Sequence, residues 1–309
     1  MTEMEDLVNC HGNIEDRYIL GDIIAKGQFS TVYKCLYKGK TERACRIYNK
    51  KDVNKEKIKN QLEQIIKIRH TNLIHIFEGF ETKDEVMFLC ERITGEELFE
   101  RIVTLGHYSE VQAAHVTHSI LSALECLHSK GIVHGDIRPE SLIYQSEDPE
   151  AILKLRDVSF ASHTPSTYTT VYVAPENEDV PTISGDIWSL GIVLYVMLFG
   201  LEPETDASEY IEISPGLSVP SWEDVSYSVK HLLREMLSSK PSVRLSAKEA
   251  LLHPWVNGES TKQTHMEGAV ERLKQFNARR KFRVATKVVL MTQKMSHHCH
   301  HPNRTKEHR

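Results

Sequence analysis

Hydrophobic and polar positions alternate along the first third of the chain and follow a helical period afterwards. From Tyr18 the sequence reads "YILGDIIAKG", "STVYKCLYKG" and "TERACRIYNKK", three short runs each closed by Gly or a charged cluster. That pattern predicts strands joined by tight turns. "KEKIKNQLEQIIKIRH" then brings apolar residues at Ile58, Leu62, Ile65 and Ile66, as a helix does. Two more strand runs follow, "LIHIFEGFE" and "EVMFLCERI". After Thr94 a 3.6 period takes over, in "EELFERIVTLG" and "SEVQAAHVTHSILSALECLHSKG". The longest apolar stretch, "IWSLGIVLYVMLFGL" at residues 187–201, has 15 residues, too few to span a bilayer and right for a buried core helix. Strands first and helices later predict an α+β, bilobal arrangement: a small sheet-rich lobe joined to a larger helical one.

The 309 residues suffice for one two-lobed domain or two ordinary ones, with 40% hydrophobic and 26% charged residues, a soluble globular composition. A formal net charge of -5 argues against a general nucleic-acid binder. The six cysteines are scattered without a CxxC pair and read as reduced thiols of a cytoplasmic protein. Residues 1–17 are an acidic extension with no apolar run, so no signal peptide is expected. From residue 256 the chain is polar, then basic and helical to Met295. Residues 296–309 form a His-rich tail expected to be disordered, whose metal binding would be adventitious.

The stretch "IVHGDIRPESLIY" has the outline of a phosphotransfer loop, His-x-Asp followed by a basic residue and a polar one. Together with "VAPE" (Val173 to Glu176), "GDIWSLGIVLYVMLFG", "SVRLSAKEALLHPW" and "ITGEELFERI", in that order, it resembles a eukaryotic protein kinase, and more narrowly the calcium/calmodulin-dependent group. The resemblance runs from Tyr18 to Met295, with residues 18–255 as the kinase-like domain and 256–295 as a regulatory segment. It implies that Asp186 holds the catalytic loop's backbone, that Arg244 pairs with Glu176, and that Glu97 recognises a substrate arginine. It also implies ATP with Mg²⁺ in a cleft around Gly27, Val32, Ala44, Arg46, Glu91, Ile93 and Ile143, with Asp136 as base. Arg138 stands at the catalytic-loop lysine, and Asp157 and Ser141 stand at the metal positions.

Several of these positions depart from the family pattern. Only Gly27 remains of the Gly-rich loop, in Ala25-Lys26-Gly27-Gln28-Phe29-Ser30. Arg46 replaces the strand lysine, and a planar guanidinium is not equivalent at a tight phosphate site. Its helix partner falls at Gln61 by helical phase, with Glu63 the other choice. Gly135 and Ser141 stand where the family has Arg and Asn, and Asp157-Val158-Ser159 replaces its D-F-G. If each loss costs ~1–3 kcal/mol of transition-state stabilisation, several together remove many orders of magnitude of rate. The expectation is a pseudokinase that scaffolds or competes with an active kinase or binds its substrate. A weak Ser/Thr kinase and a nucleotide sensor are the alternatives. Cys90 reads as a small core residue at the entry to the adenine pocket, and His134 as a structural histidine.

"AVERLKQFNARRKFRVATKVVLMTQKM" resembles the regulatory segment of calcium/calmodulin-dependent protein kinase II. A basic amphipathic helix of this kind reads as a calmodulin target. Phe282, Val289 and Met295 have 1-8-14 spacing, and Arg279, Arg280, Lys281 and Arg283 would meet calmodulin's acidic rim. Packing on the chain's own large lobe is the plainer reading and is compatible with capture; a membrane-surface helix is a third. The family's autophosphorylated Thr position falls on Ala269, and the short tail does not resemble the family's oligomerising domain, so a monomer is expected. Phe282→Asp together with Val289→Asp should abolish calcium-dependent calmodulin binding in isothermal titration; unchanged affinity would mean that these anchors are misassigned.

Overall fold

The structure is a computed structural model, and it describes residues 14–26, 30–51, 64–156, 170–177, 180–203 and 222–298. In the small lobe β1 (Tyr18–Lys26), β2 (Ser30–Tyr37), β3 (Thr41–Asn49), β4 (Ile76–Glu81) and β5 (Glu85–Glu91) form an antiparallel sheet of order β1-β2-β3-β5-β4. The strand runs expected from the alternation coincide with these elements. Period-two alternation along β3 sends Cys45 to one face, where it packs with Tyr18, Cys35, Phe80, Met87 and Leu89. Ala44 and Tyr48 go to the other face and join the main core. The helix expected over 55–70 falls mostly outside the described residues; its end at Gln64 and Ile65 is helical, and Ile65 and Ile66 are buried.

The large lobe is built on α1 (Leu98–Leu105), α2 (Glu110–His128), α3 (Ile183–Phe199), α4 (Tyr227–Met236), α5 (Ala247–Leu251) and α6 (Glu267–His298), with a two-stranded ribbon of β6 (Leu142–Tyr144) and β7 (Leu153–Leu155). Ser109 opens α2 with a capping box in which Gln112 returns to the Ser109 amide at 2.9 Å. Every residue of α3 from Gly185 to Phe199 is buried, which is why its sequence shows no polar face. No helix among the described residues is long and apolar enough to cross a membrane. Residues 296–298, expected to belong to the tail, are the last of α6, and the rest of the tail lies outside the described residues.

Two buried polar groups tie these helices together. Glu110 accepts from the Ser226 amide at 2.6 Å, the Ser226 hydroxyl at 2.7 Å and the Trp255 indole at 2.7 Å, fixing the chain after α5 to the starts of α2 and α4. Arg244, its side chain fully buried, forks onto Glu176 with contacts of 2.5 and 3.0 Å. It also donates to the carbonyls of Ser184 and Ser238, at 2.9 and 2.8 Å. Arg244→Met leaves Glu176 without its cation and should lower unfolding stability by about 3–5 kcal/mol. Urea denaturation monitored by tryptophan fluorescence measures it, and a loss below about 1 kcal/mol would show the pair to be dispensable.

Candidate active-site cleft and its regulatory helix

Asp186, in the first turn of α3, is buried and accepts from three donors at 2.8 Å each: the His134 amide, the Gly135 amide and His128 Nε2. These bonds suspend the 134–141 loop from α3. His134 is fully buried, with Nε2 facing the Arg156 carbonyl at 2.9 Å and Nδ1 taking the Asp136 amide at 3.3 Å. Both ring nitrogens are therefore engaged in loop structure. Gly135 sits at φ 76°, a left-handed backbone that glycine adopts without side-chain conflict.

Asp136 is held by Arg138, whose Nη2 lies 3.1 Å from Oδ2. Ser141 is fully buried. Its hydroxyl donates to the Arg138 carbonyl at 2.8 Å and accepts from the Arg138 amide at 3.1 Å. That closed turn faces the loop's own backbone, so the hydroxyl is a poor metal ligand, as a side chain already serving as both donor and acceptor must be. Gly27 and Asp157 lie outside the described residues, as do Gln61 and Glu63.

Between the lobes is a cavity of about 220 Å³ lined by Val32, Ala44, Cys90, Ile143 and Leu155, with Ile65, Ile68, Phe88 and Leu127 deeper in. Arg46, Arg92 and Arg156 also border it. Register explains the first set: Val32 lies opposite Arg46 and Ala44 opposite Cys90, so alternate positions of β2, β3 and β5 turn to the cavity together. Cys90 contributes a small wall, and its Sγ lies 3.6 Å from the Ala44 carbonyl.

Polar positions around the cavity are less open than their sequence suggests. Glu91 turns its carboxylate away from the cavity, accepting from the His75 amide at 2.8 Å, Lys154 at 3.0 Å and Gln145 at 3.3 Å, and its own amide donates to the His75 carbonyl at 2.9 Å. The Ile93 carbonyl accepts from Arg92 Nη1 at 2.6 Å. Arg46 Nη1 lies 3.5 Å from the Tyr48 hydroxyl. The apolar walls suit the flat base of a nucleotide. Among the described residues, the second metal position at Ser141 does not suit an ion.

α6 lies along the large lobe. Ala269, Leu273 and Phe276 are buried against it, and Phe276 meets Phe99 edge-on at 5.9 Å. Contact is closest at Gly200, the left-handed C-cap of α3, where a Cβ would stand 2.5 Å from the Ala269 carbonyl. One turn further along the groove, Arg280 is 7% exposed, with Nη1 2.7 Å from Glu140 and Nη2 on Glu97. Lys281 pairs with Glu100. Burial works against the Arg280 cation, but Glu140 and then Glu97 outweigh it and raise its pKa. Burial likewise opposes the Glu140 carboxylate, yet Arg280 and Arg138 bring its pKa below the ordinary value. Phe282, two residues on, is 74% exposed.

Of the residues expected to meet calmodulin, then, Arg280 is committed to the large lobe and Phe282 faces solvent. Val289 and Met295 lie on α6, with side chains outside the described residues. Sequence reading placed Glu97 as a receptor for arginine but did not identify Glu140, which is only a second acid beside Asp136 in the same loop.

A profile of the protein kinase domain matches residues 18–256. Human calcium/calmodulin-dependent protein kinase type IV is 34% identical over 91% of this chain and 63% of its own length. Calcium/calmodulin-dependent protein kinase type 1 of Macrobrachium nipponense is 31% identical over 88% of this chain and 84% of its own length. Arabidopsis thaliana calcium-dependent protein kinase 12 is 33% identical over 88% and 60%. The chain therefore spans less than two thirds of the type IV relative.

Glu140's hold on α6 is complete above the ordinary carboxylate pKa of 4.5 and is lost as pH falls through its lower folded value. Amide protection along residues 267–283, relative to the intrinsic exchange rate, should be retained at pH 5 and be lost only at pH values below 4.5. Glu140→Gln should accelerate it at pH 7 by roughly 30-fold, about 2 kcal/mol, which is checked by hydrogen-exchange mass spectrometry.

Proposed function

Because the chain belongs to the protein kinase domain family and has calcium/calmodulin-dependent kinases as relatives, we propose that it is a calcium/calmodulin-binding, kinase-like regulator with phosphotransfer lost or very weak. The observation that carries this reading is α6 itself. Its Arg280 occupies Glu97, ahead of α1, and Glu140, in the 134–141 loop, while Phe282 two residues on is presented to solvent. An exposed aromatic anchor on a basic helix offers a first foothold to an acidic, Met-lined groove. Engaging the rest of the helix then requires Arg280 to leave its two carboxylates. Calcium-loaded calmodulin would thereby convert a covered large lobe into an open one.

The loss of phosphotransfer rests on Arg46, Gly135 and Ser141. Arg46 puts a bulkier cation at the phosphate position, and Ser141 spends its hydroxyl on Arg138. ATP and Mg²⁺ binding is correspondingly weakened. The protein would then act on a calcium-signalling partner, an active kinase or that kinase's substrate, through the surface that α6 uncovers, as a cytoplasmic monomer. The resemblance of the segment around "FNARRK" to the type II enzyme's regulatory region supports the same switch.

A second reading, an active Ser/Thr kinase with an altered phosphate clamp, is favoured by one observation. The loop bearing Asp136 is fully suspended from Asp186, and Asp136 keeps a cationic neighbour at 3.1 Å. Phosphate transfer from labelled ATP to an Arg-x-x-Ser peptide, with calcium, calmodulin and Mg²⁺ or Mn²⁺, separates the two. Transfer no higher than in Asp136→Asn is the expected result. Incorporation that the substitution abolishes would establish the enzyme and overturn the first reading.

A further inference from the structure

On the far side of the large lobe, His231 and Glu235 stand four residues apart on one face of α4, and His253 reaches them from the turn after α5. We infer that His231, Glu235 and His253 form a binding site for a borderline divalent cation of the Zn²⁺ type, completed by water and independent of the cleft. His231 Nδ1 lies 3.3 Å from His253 Nε2 and 3.2 Å from Glu235 Oε2, and all three ligand atoms fall within 4.8 Å of one another. Tetrahedral Zn²⁺ with bonds of about 2.0–2.1 Å places neighbouring ligand atoms about 3.3 Å apart, the spacing of two of the three pairs here, and the third lies within 4.8 Å. Two imidazoles and one carboxylate suit Zn²⁺, Co²⁺ or Ni²⁺ rather than Mg²⁺ or Ca²⁺.

A helical His–Glu pair alone would be an ordinary surface ion pair. The third group, from a separate element, makes the difference. Trp255's amide donates to His253 Nδ1 at 3.2 Å, so that ring's proton sits on Nε2 and points at His231 Nδ1. His231 Nδ1 then faces the Glu235 carboxylate as a second acceptor. A cation at the centre must displace that Nε2 proton before it can meet the lone pairs of His231 Nδ1 and His253 Nε2. It takes His253 through Nε2 and moves that ring's proton to Nδ1, giving up the Trp255 contact. The segment so pinned is the one that Glu110 holds through Trp255, shortly before the regulatory helix.

The test uses the full chain with His297, His298, Cys299, His300 and His301 changed to Ser, which removes competing tail ligands. Zn²⁺ titration calorimetry, Co²⁺ absorption and melting temperature are then compared with the same chain carrying His231→Ala or Glu235→Gln, both partly exposed positions. One equivalent of Zn²⁺, visible Co²⁺ bands of tetrahedral intensity and a Zn²⁺-dependent rise in melting temperature are expected. His231→Ala should eliminate them, and Glu235→Gln should weaken affinity at least tenfold. Binding that persists unchanged in His231→Ala, or no binding in the parent, overturns the site.

Discussion

A carboxylate removed from water must find donors for its lone pairs, and Asp186 finds three at 2.8 Å. Two of them are consecutive amides of the loop that carries Asp136, so the cost of burying the charge is offset only while that loop keeps its shape. The dependence runs the other way as well. α3 is buried on all sides, and its first turn can present Asp186 only because the helices around it fill every face. Arg244 extends the same fixture, joining Glu176 of the preceding segment to the Ser184 carbonyl at the start of α3. The floor of the cleft is thus a property of the whole large lobe.

The other end of α3 meets α6. Gly200 terminates α3 in the left-handed conformation and, lacking a side chain, lets α6 approach to backbone contact at Ala269. Leu273 and Phe276 then fill the adjoining groove, and Arg280 reaches Glu97 ahead of α1 and Glu140 in the loop hung from Asp186. One helix therefore links the catalytic loop at one terminus with the docked segment at the other. Two carboxylates on one guanidinium make the docking specific in register, because sliding α6 by a turn would bury Arg280 without partners.

Residues that maintain shape and residues that would handle phosphate have separate fates in this protein. Asp186, His134, Glu176 and Arg244 keep the bonds that hold the bilobal fold. Arg46, Gly135 and Ser141 stand where the family has Lys, Arg and Asn, and Ser141 turns its hydroxyl inward. Gly135 and Ser141 still serve that framework, Gly135 through its amide on Asp186 and Ser141 through the turn it closes with Arg138.

Strand and helix runs were legible because alternation and the 3.6 period record which face meets the core, and Ser109 with Gln112 or Gly200 mark ends through local capping chemistry. The pairing of Glu176 with Arg244 was legible only through resemblance, since 68 residues separate them. Other features had no local trace. Glu110 reads as an ordinary first-turn acid, yet it gathers donors from Ser226, Trp255 and Lys262. "ARRKFR" reads as a uniformly basic stretch, while the fold buries Arg280 and exposes Phe282. A sequence by itself determines period, charge and capping, because these depend on neighbours within a few residues. Which of two like side chains is buried, and which carboxylates it meets, depends on partners brought from distant parts of the chain, and only the tertiary packing decided that.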